Sequence, residues 1–234
     1  SWKAGGTPTT TNDDGSIESE VSANTTAGFS IFSYTGTGSS GTVGHGLGAK
    51  PDMIIFKGTN TTSSWPVYYE AGGGYLGFPL LDSANANVTS TSSFTWNSTV
   101  FTFTSASSYS NTASTEYIAY AFRSIPGYSK VGTYEGNGDA DGAFVHTEFR
   151  PALVMVKDVD SSGNWVLFDD KREGYNVDND QLYPNDTLVE ATNDYVDIVS
   201  NGFKFRSNAT TVNGGETYLF YAVAAYPFKY ANAR

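Results

Sequence analysis

The chain has 234 residues, 24 Asp and Glu against 13 Lys and Arg, a formal net charge of −11 and no cysteine. That length holds one large β domain or two domains of roughly 100–150 residues each. The charge disfavours nucleic acid and anionic membrane surfaces, no apolar run nears the ~20 residues of a membrane span, and the missing thiols exclude a disulfide framework and thiolate metal sites.

Sixteen Tyr, 15 Phe and 25 Gly among many Ser, Thr and Asn make a strand-and-turn composition. The absence of disulfides favours synthesis in a reducing compartment. No signal peptide is recognised. A chain that opens on Ser1 reads as a processed product or a fragment.

Residues 1–28 carry only Trp2, Ile17 and Val21 as sizeable apolar side chains. Such a segment cannot offset its own ordering entropy, so it is expected to be an extended arm or linker unless a neighbour orders it. Trp2 is its candidate assembly anchor. A repeat then begins. Tyr34-Thr-Gly36-Thr-Gly38 is echoed by Tyr134-Glu-Gly136-Asn-Gly138, and KPDMIIFK at 50–57 by RPALVMVK at 150–157. SSWPVYYE (63–70) is echoed by GNWVLFDD (163–170), VFTFTS (100–105) by GFKFRS (202–207), and EYIAYAFRSIPGYSK (116–130) by TYLFYAVAAYPFKYA (217–231). Blocks matching in order over a whole period mark an internal duplication.

The four-residue apolar cores MIIF and LVMV read as central strands buried on both faces. FTFTS and FKFRS alternate with period two, so one face is buried and one is wet. The long strands YIAYAFR and YLFYAVAA end before a proline that cannot continue a ladder. The expected fold is all-β: two tandem antiparallel β-sandwich modules, jelly-roll-like, at 29–127 and 128–234, behind an arm at 1–28. Each module should carry roughly six to eight strands and no helix.

For chemistry, no Gly-x-Ser-x-Gly elbow and no cysteine nucleophile exist, so no catalytic residue is assigned and the protein is not expected to be an enzyme. His45 and His146 sit at nearly corresponding places and read as one structural position inherited twice. Asp158-Val-Asp160-Ser-Ser-Gly163, with Asp169 twelfth, resembles the start of a Ca2+ loop. Asp is a poorer twelfth ligand than Glu, and Trp165–Phe168 should already be a strand, so a hairpin turn competes with that reading. No cofactor is expected apart from Ca2+ at Asp158, Asp160 and Asp169. The glycine-rich stretch YTGTGSSGTVGHGLG lacks a following helix and the Gly-Lys-Ser/Thr of a phosphate loop. Sugars stack on exposed aromatics, and among the aromatics placed in loops Tyr109, Tyr175 and Tyr183 are the candidate ligand-binding residues.

VSANTTAGFSIFSYTGTGSSGTVGHGLGAKPDMIIFK (21–57) resembles a segment of bacteriophage tail-fibre and other virion appendage proteins, of marine phages especially. GYSKVGTYEGNGDADGAFVHTEFRPALVMVK (127–157), GNWVLFDDKREGYN (163–176), SNGFKFRS (200–207) and YPFKYANAR (226–234) resemble the same family, and SWKAGG (1–6) resembles a link that precedes such modules. The resemblance implies a non-enzymatic, homotrimeric appendage module on an extracellular virion that adheres to host cell-surface glycans. It transfers no catalytic residue, and the charge and the lack of a spanning apolar run leave no nucleic-acid partner and no membrane insertion expected. The alternatives are a structural subunit that self-assembles into a fibre, filament or capsid decoration, and an enzyme that cuts surface polysaccharide through carboxylates such as Asp169.

Overall fold

Met53–Phe56 has no polar position, so as a strand it must be covered on both sides, and its four side chains are all buried. Its echo, Leu153–Val156, buries Val154 and Val156 and leaves Leu153 and Met155 half-buried. The second copy is thus fully enclosed on one face only. The computed structural model describes residues 4–5, 11–70, 78–88, 94–172 and 180–226. Among these, every regular element is a strand and none is a helix.

The chain divides into two units, Ser1–Leu80 with Thr89–Arg123, and Leu81–Val88 with Ser124–Arg234. The boundary at Arg123 falls four residues before the expected one, and residues 81–88 join the second unit. Unit 1 contains β1 (Thr11–Asn12), β2 (Ser19–Asn24), β3 (Phe29–Thr35), β4 (Gly41–Gly44), β5 (Met53–Gly58), β6 (Val67–Tyr69), β7 (Phe94–Trp96), β8 (Val100–Phe103) and β9 (Glu116–Phe122). They form a six-stranded sheet, β1-β2-β3-β9-β5-β6, and a three-stranded sheet, β4-β8-β7. Unit 2 contains β10 (Ser129–Glu135), β11 (Phe144–His146), β12 (Pro151–Asp158), β13 (Val166–Asp169), β14 (Val196–Val199), β15 (Gly202–Phe205) and β16 (Thr217–Ala224). Its sheets run β10-β16-β12-β13 and β11-β15-β14. Every pairing between these strands is antiparallel. Apart from β1 and β2, the two units pair their strands in the same order.

β1 and β2 come from the segment expected to be an arm. Ser19–Asn24 pairs with all but the last residue of β3, from Asn24↔Phe29 to Ser19↔Tyr34. Ile17 is buried and forms a parallel bridge with Val43. Residues 11–24 are therefore built into unit 1, where β3 and β4 satisfy the backbone groups that this polar segment cannot satisfy itself. Trp2 lies outside the described residues.

In each unit the two sheets face each other through aromatic rings. Phe56 of β5 lies 4.9 Å from Phe101 of β8, and Tyr34 of β3 lies 5.9 Å from Phe103. In unit 2, Phe203 of β15 is 5.5 Å from Phe220 of β16, and Tyr134 of β10 is 5.2 Å from Phe205. Edge and offset arrangements like these add to the area the rings bury.

The repeated motifs now have physical reasons. The leading basic residue of each octet pairs with the acid just after the next strand: Lys50 with Glu70 at 2.7 Å, and Arg150 with Asp170 at 3.4 Å. The closing lysine turns inward to the hairpin loop. Lys57 Nζ donates to Ser63 O and lies 5.3 Å from the Trp65 ring centre. Lys157 Nζ donates to Asp158 O at 2.8 Å and Gly163 O at 2.9 Å, and its side chain is fully buried. The Tyr-x-Gly-x-Gly loops pass too close to other backbone for any side chain. A Cβ on Gly36 would stand 2.3 Å from Thr112 O and one on Gly136 1.9 Å from Gly214 O, while Gly38 and Gly138 have φ of +68° and +64°.

A buried asparagine pins each of these loops. Asn111 accepts from Thr37 N and donates to Ser39 O. Asn213 accepts from Asn137 N and Ala143 N, and donates to Asn137 Oδ1, Asp139 O and Ser207 O. Beside them stand stacked tyrosine pairs, Tyr34 with Tyr117 at 5.3 Å and Tyr134 with Tyr218 at 5.1 Å. Burial pushes the hydroxyls of Tyr34 and Tyr134 well up.

His45 and His146 are one residue out of register. His45 N donates to Thr99 O as Thr147 N does to Asn201 O, so His45 corresponds to Thr147. A one-residue step along a strand reverses the face, so His45 is buried and His146 is exposed. His45 Nε2 lies 3.2 Å from Asn97 O and its Nδ1 accepts from Leu47 N, an arrangement that suits the neutral ring. Burial lowers its pKa, against the opposing pull of the Asn97 carbonyl and the Asp14 charge. The unfolded chain then takes up a proton first as pH falls below about 6.5. The expected result is a stability loss between pH 7 and 5 that is smaller in His45→Gln, measured by urea unfolding at both pH values.

Candidate functional site

The expected Ca2+ ligands are not brought together. Asp158 ends β12, where its carboxylate accepts from Asp160 N at 3.0 Å, Ser161 N at 2.9 Å and Ser161 Oγ at 2.5 Å. Asp160 Oδ2 accepts from Thr217 N at 2.8 Å. Asp169 stands opposite Leu153, five residues along β12 from Asp158, about 17 Å away at ~3.4 Å per residue. A Ca2+ ion holds its ligands at ~2.3–2.6 Å, so Asp169 cannot share an ion with the other two. The hairpin β12–β13 separates them, and Asp158 organises its turn. Burial works against the Asp169 carboxylate, but hydrogen bonds from Arg172 and from the amides of Lys171 and Arg172 outweigh it and hold its pKa low. Among the described residues, no group of three His, Asp or Glu is placed to hold a metal ion.

The aromatic candidates are divided between the units. Tyr109, in unit 1, is half-buried with its ring 5.1 Å from Phe78. Tyr183, in unit 2, is half-buried against the core, its hydroxyl 3.5 Å from Gln181 Oε1. Burial and Tyr195 push the Tyr183 hydroxyl up. Tyr175 lies outside the described residues. Both described rings are partly used in packing, and they belong to different units.

Unit 1 has a hollow of about 490 Å³ at one end of its large sheet, lined by Glu18, Glu20, Glu116, Ser33, Thr35 and Thr59 among others. It is acidic and rich in hydroxyls. The neighbouring Tyr34 and Tyr117 hydroxyls are engaged with Ser110 O and the Thr112 amide.

The most distinctive surface is the outer face of the sheet β11-β15-β14. Strand alternation turns Val145, Phe203 and Phe205 inward and Phe144, His146, Lys204 and Arg206 outward. Phe144 is 49% exposed and its ring centre is 6.3 Å from that of His146. Phe144 stands opposite Lys204, which stands opposite Asp197. Lys204 Nζ lies 2.9 Å from Asp141 and donates to Gly142 O, while Arg206 Nε lies 2.5 Å from Asp197. The Lys204 contact holds the Asp141 carboxyl below its usual range. Sequence reasoning missed this face. The available signal was the pairing of FTFTS with FKFRS, where Lys204 and Arg206 replace Thr102 and Thr104 between identical inward phenylalanines.

No curated protein and no solved structure matches the chain. One family does, described as a domain of unknown function, DUF7483, and its match covers residues 1–227. A match over nearly the whole length, across both units and the β1–β2 segment, places the chain in that family: it is a DUF7483 protein.

Proposed function

We propose that this protein is a non-enzymatic adhesion module of a virion appendage, a tail or head fibre, that binds host cell-surface glycans and works outside the cell as a homotrimer. In this reading it consists of two β-sandwich modules descended from one by duplication. The equal pairing order in the two units, the repeated lysine, asparagine and tyrosine contacts and the resemblance of its long motifs to fibre proteins support it. The observation that carries the binding role is the outer face of β11-β15-β14, where an exposed phenylalanine sits among ion-paired polar groups on a rigid sheet. A glycan array probed with the full chain tests it. Reproducible binding to a defined set of glycans is the expected result; a silent array overturns the adhesion reading.

A second reading, a structural subunit that self-assembles, is favoured by Leu188 and Val189, 57% and 84% exposed in one loop of unit 2. Adjacent exposed apolar side chains are what an assembly contact covers. Sedimentation of Leu188→Ser/Val189→Ser beside the parent chain separates the two. A loss of oligomer in the variant favours the assembly reading, and an unchanged oligomer removes this support.

A further inference from the structure

The two units differ on this face in a patterned way. Register equates Val43, Phe101 and Phe103 of unit 1 with Val145, Phe203 and Phe205 of unit 2. These six inward side chains are all buried, and the residue type is kept at each position. The outward positions change together. Thr42, Gly44, Thr95, Thr102 and Thr104 in unit 1 become Phe144, His146, Asp197, Lys204 and Arg206 in unit 2. Core packing constrains only the inward set, so it does not explain a wholesale exchange of small neutral residues for an aromatic ring and charges.

The edge beside the face differs too. In unit 1 the segment before β2 lies along β4: Ser16 and Thr42 exchange amide-to-hydroxyl hydrogen bonds, and Ile17 N donates to Thr42 O. In unit 2 the chain enters β10 through a tight turn, with Ser129 N donating to Ile125 O. Among the described residues no such segment pairs with β11, and Phe144 is 49% exposed.

We infer that this face of unit 2 binds an anionic saccharide unit, a uronate or similar acidic pyranose, with Phe144 as the stacking floor. The inference rests on the adhesion reading above and names its ligand class and location. A pyranose presents one face of C–H groups that packs on an aromatic ring, and its carboxylate takes charge-assisted hydrogen bonds, about twice as strong as neutral ones. The donors are in place. Asp141 holds Lys204, and Asp197 holds Arg206, so their heads are already positioned. Lys130 Nζ donates to His146 O at 3.0 Å, which brings a third cation beside β11. Lys130, Lys204 and Arg206 gather three cations here, interleaved with the carboxylates of Asp141, Asp197 and Glu148. The cationic heads beside the Phe144 ring are what favour an acidic sugar over a neutral one. Gly202, opposite His146, lies close against β11: a Cβ there would stand 2.1 Å from Val145 O.

The experiment is titration calorimetry of the full chain with tetragalacturonate and with maltotetraose, a neutral sugar of equal length, at 50 and 500 mM NaCl. The acidic sugar is expected to bind and the neutral one to bind at least tenfold more weakly. Affinity for the acidic sugar should fall about tenfold or more in Phe144→Ala, in Lys130→Gln/Lys204→Gln, and at the higher salt. Phe144 is half-exposed, so its variant is expected to keep the parent melting temperature; if it does not, the double lysine variant decides. Equal affinity for the two sugars, no binding of either, or undiminished binding in the folded variants overturns the inference. The glycan array separates this from the wider reading. Binding retained by Phe144→Ala on the array removes this site and leaves adhesion standing, whereas an array silent for the parent chain removes adhesion itself.

Discussion

Replacing Asn213 with Ala is expected to destabilise the protein by about 3–5 kcal/mol, the largest effect of any single polar substitution proposed. The side chain is fully buried in unit 2. It accepts from Asn137 N and Ala143 N at 3.2 Å each, and donates to Asn137 Oδ1 at 2.9 Å, Asp139 O at 2.9 Å and Ser207 O at 2.8 Å. Alanine removes both ends of the amide and leaves backbone groups from three loop segments without their partner. Each buried group so stranded costs roughly 1–3 kcal/mol, reduced where water can reach it. Asn111→Ala should cost less, because fewer such bonds converge on that side chain in unit 1. Urea unfolding of both variants measures the difference. Equal losses, or a loss under 1 kcal/mol for Asn213→Ala, would show that the loop holds its shape without the amide.

Lys157 gives the second large effect and a dependence on pH. Its ammonium is enclosed at the end of β12, hydrogen-bonded to Asp158 O and Gly163 O. Burial pulls its pKa down from 10.5 to about 8, and the Asp158 charge opposes that pull. Between about pH 8 and 10 the unfolded chain holds a proton that the folded chain has released, so stability rises with pH across that window. Below pH 8 both states are protonated and the cost of burying the charge is present in full. Above pH 10 the buried tyrosines reverse the trend, since Tyr34 and Tyr134 keep their protons in the folded state after the unfolded chain has lost them. The expected result is a melting temperature that climbs from pH 7.5 to 9.5 and then turns over. Lys157→Ala should lose about 3 kcal/mol at pH 7, because two loop carbonyls lose their donor and a cavity opens. It should also abolish the climb. A wild-type melting temperature flat across the window would show that solvent reaches the ammonium.

The contrast between these two residues shows what each level of information carried. Lys157 was visible as the closing residue of a repeated octet. Its sequence neighbours gave no hint that the ammonium turns back beneath the hairpin loop, because that depends on where Gly163 O lies in space. Asn213 carried no signal, since one Asn in a polar stretch looks like any turn residue.

The same division runs through the rest of the chain. Sequence alone pointed to an all-β chain, to the doubly covered strand at Met53–Phe56 and to the blocks that repeat between the two halves. Those properties reside in side-chain period and composition, which act locally along each strand. Three things waited for the tertiary structure. Residues 11–24 were built into unit 1 because β3 and β4 offer pairing partners between five and 26 residues away. The three candidate Ca2+ ligands separated because antiparallel register sends Asp169 to the far end of its hairpin. The face around Phe144 appeared because it combines β11 with β14 and β15, which begin some fifty positions later in the chain, and only strand pairing puts them on one surface.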